Sequence, residues 1–149
     1  MSINQLIESM AKLLKLHKSL LELALRKTGI LEAEDVAALS ELLKEEQAHI
    51  LAIEKIEAER SRNAGKRMLN ELLEKMPDPE RATLAEISQE LKEVITRIQV
   101  QNELNQGLIT QSLKFISFSM SLITPSQEEF NYGKNELAPT GKSLFNSKA

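Results

Sequence analysis

The chain has no cysteine and no tryptophan, and only five glycines, four prolines and 3% aromatic residues in 149 positions. Without thiols it can form neither disulfides nor thiolate metal sites. The shortage of aromatics argues against β and α/β cores, which lean on aromatic and β-branched side chains, and favours helix seams built from Leu, Ile and Ala. A basic surplus is also missing: the formal net charge is −3 and the sequence pI is near 5.5. Nucleic-acid binders usually carry such a surplus to neutralise phosphates, so no nucleic-acid partner is expected. No run of about 18 apolar residues is present to span a bilayer. Lys12, Lys15 and Lys18 interrupt the first apolar pattern, so it does not read as a signal core. The expected location is the cytoplasm, with no direct membrane insertion.

Hydrophobic residues at 42% and charged residues at 28% suffice for one folded domain of ordinary size. The apolar residues recur with a helical period. Ile3, Met10, His17 and Ala24 fall seven apart, interleaved with Leu6, Leu13 and Leu20, and Ile7, Leu14 and Leu21 widen the stripe to a core-facing breadth. Gly29 followed by Ile30 reads as a helix stop, predicting a first helix over 2–28. Glu34 and Asp35 suit a helix N-terminus, and Val36, Leu39, Leu43, Glu46, Ile50, Ile53 and Ile56 carry the second stripe. The short link between the two predicts an antiparallel hairpin. Charge agrees: residues 1–28 hold five Lys/Arg and two acids, whereas 32–60 hold three and nine.

Asn63-Ala64-Gly65 weakens the second helix, a short helical piece follows over 66–76, and Pro77-Asp78-Pro79 predicts a turn. A long third helix is then expected from about Glu80 to Ile123, about 65 Å at 1.5 Å per residue. Its first half has a plain apolar seam of Leu84, Ile87, Leu91, Val94 and Ile98. The second half carries Gln101, Asn105, Ser112 and Ser119 at seam positions, while Ile109, Leu113, Ile116, Phe118 and Met120 spread apolar surface to other faces. Two readings stand for this stretch: a core segment, or a groove that accepts helices of another chain with its polar residues limiting self-association. Beyond Pro125 the period is lost. The division is therefore a helical domain over 1–124 and a flexible C-terminal tail over 125–149. All five aromatics, Phe115, Phe118, Phe130, Tyr132 and Phe145, lie in the last 35 positions. A tail that keeps aromatics implies something for them to dock on, which favours the groove. The fold class expected is all-α, an antiparallel helical hairpin plus a long third helix in a coiled-coil-like bundle.

Catalytic constellations are scarce. Glu46-Gln47-Ala48-His49 is a Glu-x-x-His step of the kind used by di-metal carboxylate bundles, but those need the step on two helices. The only other histidine, His17, has Leu14 at the matching position. Glu46 and His49 therefore read as interfacial polar residues and His17 as a polar seam residue that sets register. No glycine-rich phosphate loop and no histidine-activated serine appear. Arg60, Arg62, Lys66 and Arg67 read as a solvated basic face, with an acidic protein partner as the next reading and RNA last, since no aromatics interleave them. The chain is not expected to be an enzyme, and no cofactor or metal is called for.

In its order of motifs the chain resembles the FlgN family of flagellar type III export chaperones, notably Gram-positive members. Lys27, Asp35, Leu39, Glu46, Ile50, Ile53 and Arg60 follow the family's hairpin pattern. Asn102, Asn105, Leu108-Ile109, Ser112-Leu113 and Phe115 resemble its signature on the third helix. Asn131-Tyr132-Gly133 and Leu144-Phe145 through Lys148-Ala149 are similar to the ending of Gram-positive members. The resemblance implies binding of the C-terminal helices of the hook-associated proteins FlgK and FlgL, delivery to the export gate protein FlhA, and no need of nucleotide or metal. Asn102, Asn105, Leu108, Ile109, Ser112, Leu113 and Phe115 then become client-facing candidates. Helical geometry extends the set to Ile116, Phe118 and Ser119, and Tyr132 is the candidate for docking to the gate. The rivals are a chaperone of the FliT or FliS kind with another client, and a coiled-coil protein that pairs with its own copy, for which a weak homodimer is the milder form.

Overall fold

Ser2 opens the first helix with a reciprocal cap. Its hydroxyl accepts the Gln5 backbone N–H at 3.1 Å, and the Gln5 side chain accepts the Ser2 N–H at 2.8 Å. The computed structural model describes residues 2–63 and 65–123. These form α1 (Ile3–Glu32), α2 (Val36–Asn63), α3 (Lys66–Lys75), α4 (Asp78–Thr110) and α5 (Leu113–Ile123). The tail beyond lies outside the described residues.

The first helix runs through Gly29 instead of stopping there. Leu31 is buried and Ile30 half-buried, and that burial outweighs the ~1 kcal/mol that glycine costs inside a helix. The stop comes five residues later, at Glu34, whose φ is 54°. Glu34 N–H donates to the Leu31 carbonyl and Asp35 N–H to the Ile30 carbonyl, both at 3.1 Å, which is the Schellman arrangement with a glutamate where glycine is usual. Asp35 then caps α2: its Oδ1 accepts the Ala38 N–H at 3.0 Å.

Two cross-links set the direction of each seam. Lys27 meets Glu46 while Arg60 meets Met10, so α1 and α2 are antiparallel. Lys18 meets Glu90 while Thr28 meets Asn105, so α4 runs parallel to α1. The short α3 makes the return possible, since α4 must start again beside the start of α1. Arg81 ties this corner by donating to the Leu73 carbonyl at 2.9 Å and the Met76 carbonyl at 3.3 Å. Pro77 and Pro79 do not form a separate turn; Pro77 caps α4 and Pro79 lies in its first turn, where a missing N–H costs nothing. Along the bundle α1 is flanked by α2 and α4. Its Leu13, Leu14, Leu20, Leu21 and Leu23 form a main apolar cluster with Leu42, Ile53, Val94 and Ile98.

The predicted third helix is broken. α4 ends at Thr110, Ser112 N–H donates back to the Ile109 carbonyl at 3.2 Å, and a new helix starts when Ile116 N–H donates to the Ser112 carbonyl at 3.0 Å. The break lets Phe115 turn onto the hairpin tip, where it is completely buried. It joins Leu31, Leu39, Leu43 and Ile109 in a second apolar cluster, with Leu108 and Phe118 packed around them.

Candidate functional site

One buried polar tier crosses the bundle just below the hairpin tip. On the α1–α2 side, Lys27 Nζ donates to Glu46 Oε2 at 2.6 Å, with side chains only 1% and 5% exposed. On the α1–α4 side, Asn105 uses both ends of its amide: Nδ2 donates to the Ala24 carbonyl at 2.9 Å, and Oδ1 accepts from the Thr28 hydroxyl at 2.6 Å. The Gln101 amide donates in turn to the Thr28 hydroxyl oxygen. The Thr28 hydroxyl has one proton, directed at Asn105 Oδ1 at 2.6 Å with the Ala24 carbonyl at 3.2 Å as the alternative acceptor, and lone pairs that accept from Gln101, so the three side chains tie α4 to α1. Of the polar seam of the third helix, Gln101 and Asn105 thus fix how α4 sits on α1.

Above the tier sits the second apolar cluster, closed by α5. The residues singled out from sequence divide here. Asn102, Asn105, Ile109 and Phe115 are buried, and Leu108, Ser112, Phe118 and Ser119 are partly buried. Ile116 is exposed at 41%, while the Leu113 side chain and Tyr132 lie outside what is described. An open groove lined by all these residues does not describe this conformation, because α1 satisfies the asparagine and α5 covers the tip. The described ones are nevertheless brought together toward one end of the bundle, on α4, α5 and the bend between them.

Sequence reasoning missed two kinds of neighbour. Leu31, Leu39 and Leu43 form the floor under Phe115; the last two are visible in the α2 stripe, but their partner across the chain is not. Val100 and Leu104 on α4 are 63% and 52% exposed, and Met120 and Leu122 on α5 are 40% and 44% exposed. Val100 and Leu104 stand one turn apart, a spacing legible as a ridge only once the buried face of α4 is known. Glu34 carries the link across the bend: its carboxylate accepts from the Ser112 hydroxyl at 3.3 Å.

The Glu46–His49 step does not act as a pair. The Glu46 carboxylate is engaged by Lys27, and His49 Nδ1 lies 2.7 Å from the carbonyl of Glu45. His17 is buried, with Nδ1 2.7 Å from the Leu13 carbonyl, so its N–H is met within its own helix and not across the seam. Among the described residues no group of three or more His, Asp or Glu is placed to hold a metal ion. An open cleft of about 550 Å³ between the start of α1 and the end of α2 is lined by Glu8, Lys12, Glu59 and Arg60 among others, a mixed-sign surface at the opposite end from the tip. Among the described residues no helix is long and apolar enough to cross a membrane.

An all-helical bundle with an apolar tip is a common shape, and geometry alone does not name it. The sequence model of the FlgN protein family matches residues 1–140, which covers the hairpin, the tier and the tip. The chain belongs to the FlgN family. That family consists of flagellar export chaperones rather than enzymes. A Bacillus subtilis (strain 168) protein described as uncharacterized protein YvyG is 32% identical over 160 aligned positions, across the whole of each chain. No solved structure matches the chain. The tip is where this FlgN protein combines apolar surface with a break in its backbone.

Proposed function

We propose that this protein binds the C-terminal helices of FlgK and FlgL in the cytoplasm, prevents their premature assembly and delivers them to the type III export gate through FlhA. Membership of the FlgN family supports the role, and one structural observation carries the location. At the tip the chain keeps Ile116, Met120 and Leu122 of α5 at least 40% exposed beside a buried apolar cluster, and Val100 and Leu104 add an exposed apolar ridge lower on α4. Each such side chain gains up to about 1.5–3 kcal/mol on full burial. Ordering the client offsets commonly 2–5 kcal/mol of that gain. Several half-exposed anchors therefore give binding that is firm yet reversible, as a handover requires.

The client-facing set is Asn102, Asn105, Leu108, Ile109, Ser112, Leu113, Phe115, Ile116, Phe118 and Ser119, with Asn105 acting from below by holding α4 on α1 and Tyr132 as the residue that meets FlhA. Co-purification from a panel of FlgK, FlgL, FliD and flagellin tests the reading. Retention of FlgK and FlgL, and its loss in an Ile116→Asp variant with unchanged helical content, is the expected result. Retention of FliD or flagellin instead moves the protein to a FliT-like or FliS-like client. A constitutive dimer that retains none of them replaces the reading with self-pairing.

A further inference from the structure

The buried position of Asn102, Ile109 and Phe115 raises a steric question for any helix that binds them. We infer that α5 is a flap hinged at Gln111–Ser112, and that the client helix enters between α5 and the hairpin tip, making Leu31, Leu39 and Leu43 the opposite wall of the site. This rests on the chaperone reading above and deepens it.

Five observations converge. The hinge is cheap to turn, because Gln111 and Ser112 lie outside both helices and their N–H groups both go to one acceptor, the Ile109 carbonyl, Ser112 at 3.2 Å. The flap is separable from the fold: among the described residues none of α5 belongs to the main apolar cluster, whose members lie on α1, α2 and α4. Below the tip, the polar tier of Lys27, Glu46, Thr28, Gln101 and Asn105 holds the three long helices whether or not α5 is docked. The closed packing is also imperfect. Ser119 Oγ on α5 is buried without a hydrogen-bond partner, a loss that opening removes. Finally, the Ser112–Glu34 hydrogen bond that latches the bend is solvent-exposed and starts from a residue at φ 54°.

What sits on the floor now shows what the floor accepts. α5 is a helix that presents Phe115 and Phe118, three positions apart, to Leu31, Leu39 and Leu43. The occupant is therefore a client helix with large apolar side chains at i and i+3. When it enters, the inner face of α5 is free to close over it, so both faces of the client are covered.

The chain has no cysteine, so a labelled pair is unique. Glu41→Cys on α2 and Ser117→Cys on α5 are both at exposed positions, and nitroxides there report the separation of α5 from the hairpin tip by pulsed electron resonance. The full-length chain is measured alone and with saturating FlgK C-terminal helical segment, whose binding is followed on the same samples. One distance in the free protein, lengthened by roughly the 8–10 Å spacing of packed helices when the segment binds, is the expected result. Saturable binding with an unchanged distance overturns the flap and leaves the chaperone reading standing. A long distance already present in the free protein also overturns it, and no binding of the FlgK or FlgL segments overturns both.

Discussion

Lys27 and Glu46 offer the sharpest test of how the bundle is held. The pair joins α1 to α2 at 2.6 Å with both side chains out of water. Substituting Lys27→Met removes one charge and leaves the Glu46 carboxylate buried and unpaired. Breaking a buried pair in this way costs about 3–5 kcal/mol. Domains of this size are stable by about 5–15 kcal/mol in all, so the loss is a large fraction of the total. At about 2–4 °C per kcal/mol the midpoint falls by roughly 6–20 °C. Replacing both partners, Lys27→Met with Glu46→Leu, removes the two desolvation costs together, and such swaps are neutral or stabilising by about 1–4 kcal/mol. The double variant therefore melts at or above the parent, while both single variants melt well below it. Thermal and urea unfolding followed by circular dichroism measure all four proteins of the cycle. Single variants within about 1 kcal/mol of the parent, or a double variant no better than its worse single, refute the reasoning.

Other consequences are equally concrete. A Cβ built on Gly29 or Gly107 meets nothing within 4 Å, so Gly29→Ala and Gly107→Ala each add about 0.5–1 kcal/mol, read as a raised urea midpoint with unchanged slope. Glu34→Gly relieves a left-handed residue that costs about 1–2 kcal/mol, against about 0.5–1 kcal/mol of added chain entropy, and also drops the Ser112 acceptor. Its midpoint is expected to stay or rise while FlgK-segment affinity rises, and weaker binding contradicts the latch. Phe115→Ala empties a fully buried site and costs about 3–5 kcal/mol in an unfolding titration, whereas Ile116→Asp on the exposed side of α5 costs under about 1 kcal/mol but lowers client affinity. The opposite ranking in stability overturns the orientation of α5.

Legibility varied along the chain for identifiable reasons. The hairpin is readable because Leu13, Leu20, Leu39 and Ile53 recur with the helical period and bury as that period requires. The end of α1 is not, because Gly29 is the stronger local stop and only the buried position of Leu31 explains why the helix passes it. The break at Gln111–Ser112 is hidden for a similar reason: α4 and α5 continue one periodic pattern, and the turn is fixed by where Phe115 finds its cluster. Asn105 is visible as a polar residue in a seam, yet its partners, Ala24 and Thr28, are about 80 positions away in sequence. Periodicity reports which face is apolar; it does not report which helix covers that face.

The chaperone role itself is tested most directly by calorimetric titration of the full-length chain with the FlgK C-terminal helical segment, with FlgL and FliD segments as comparisons. The expected result is saturable binding to FlgK or FlgL with a negative heat-capacity change, the mark of apolar burial, and none to FliD. No heat from any segment with a folded helical protein, or binding to FliD alone, contradicts it.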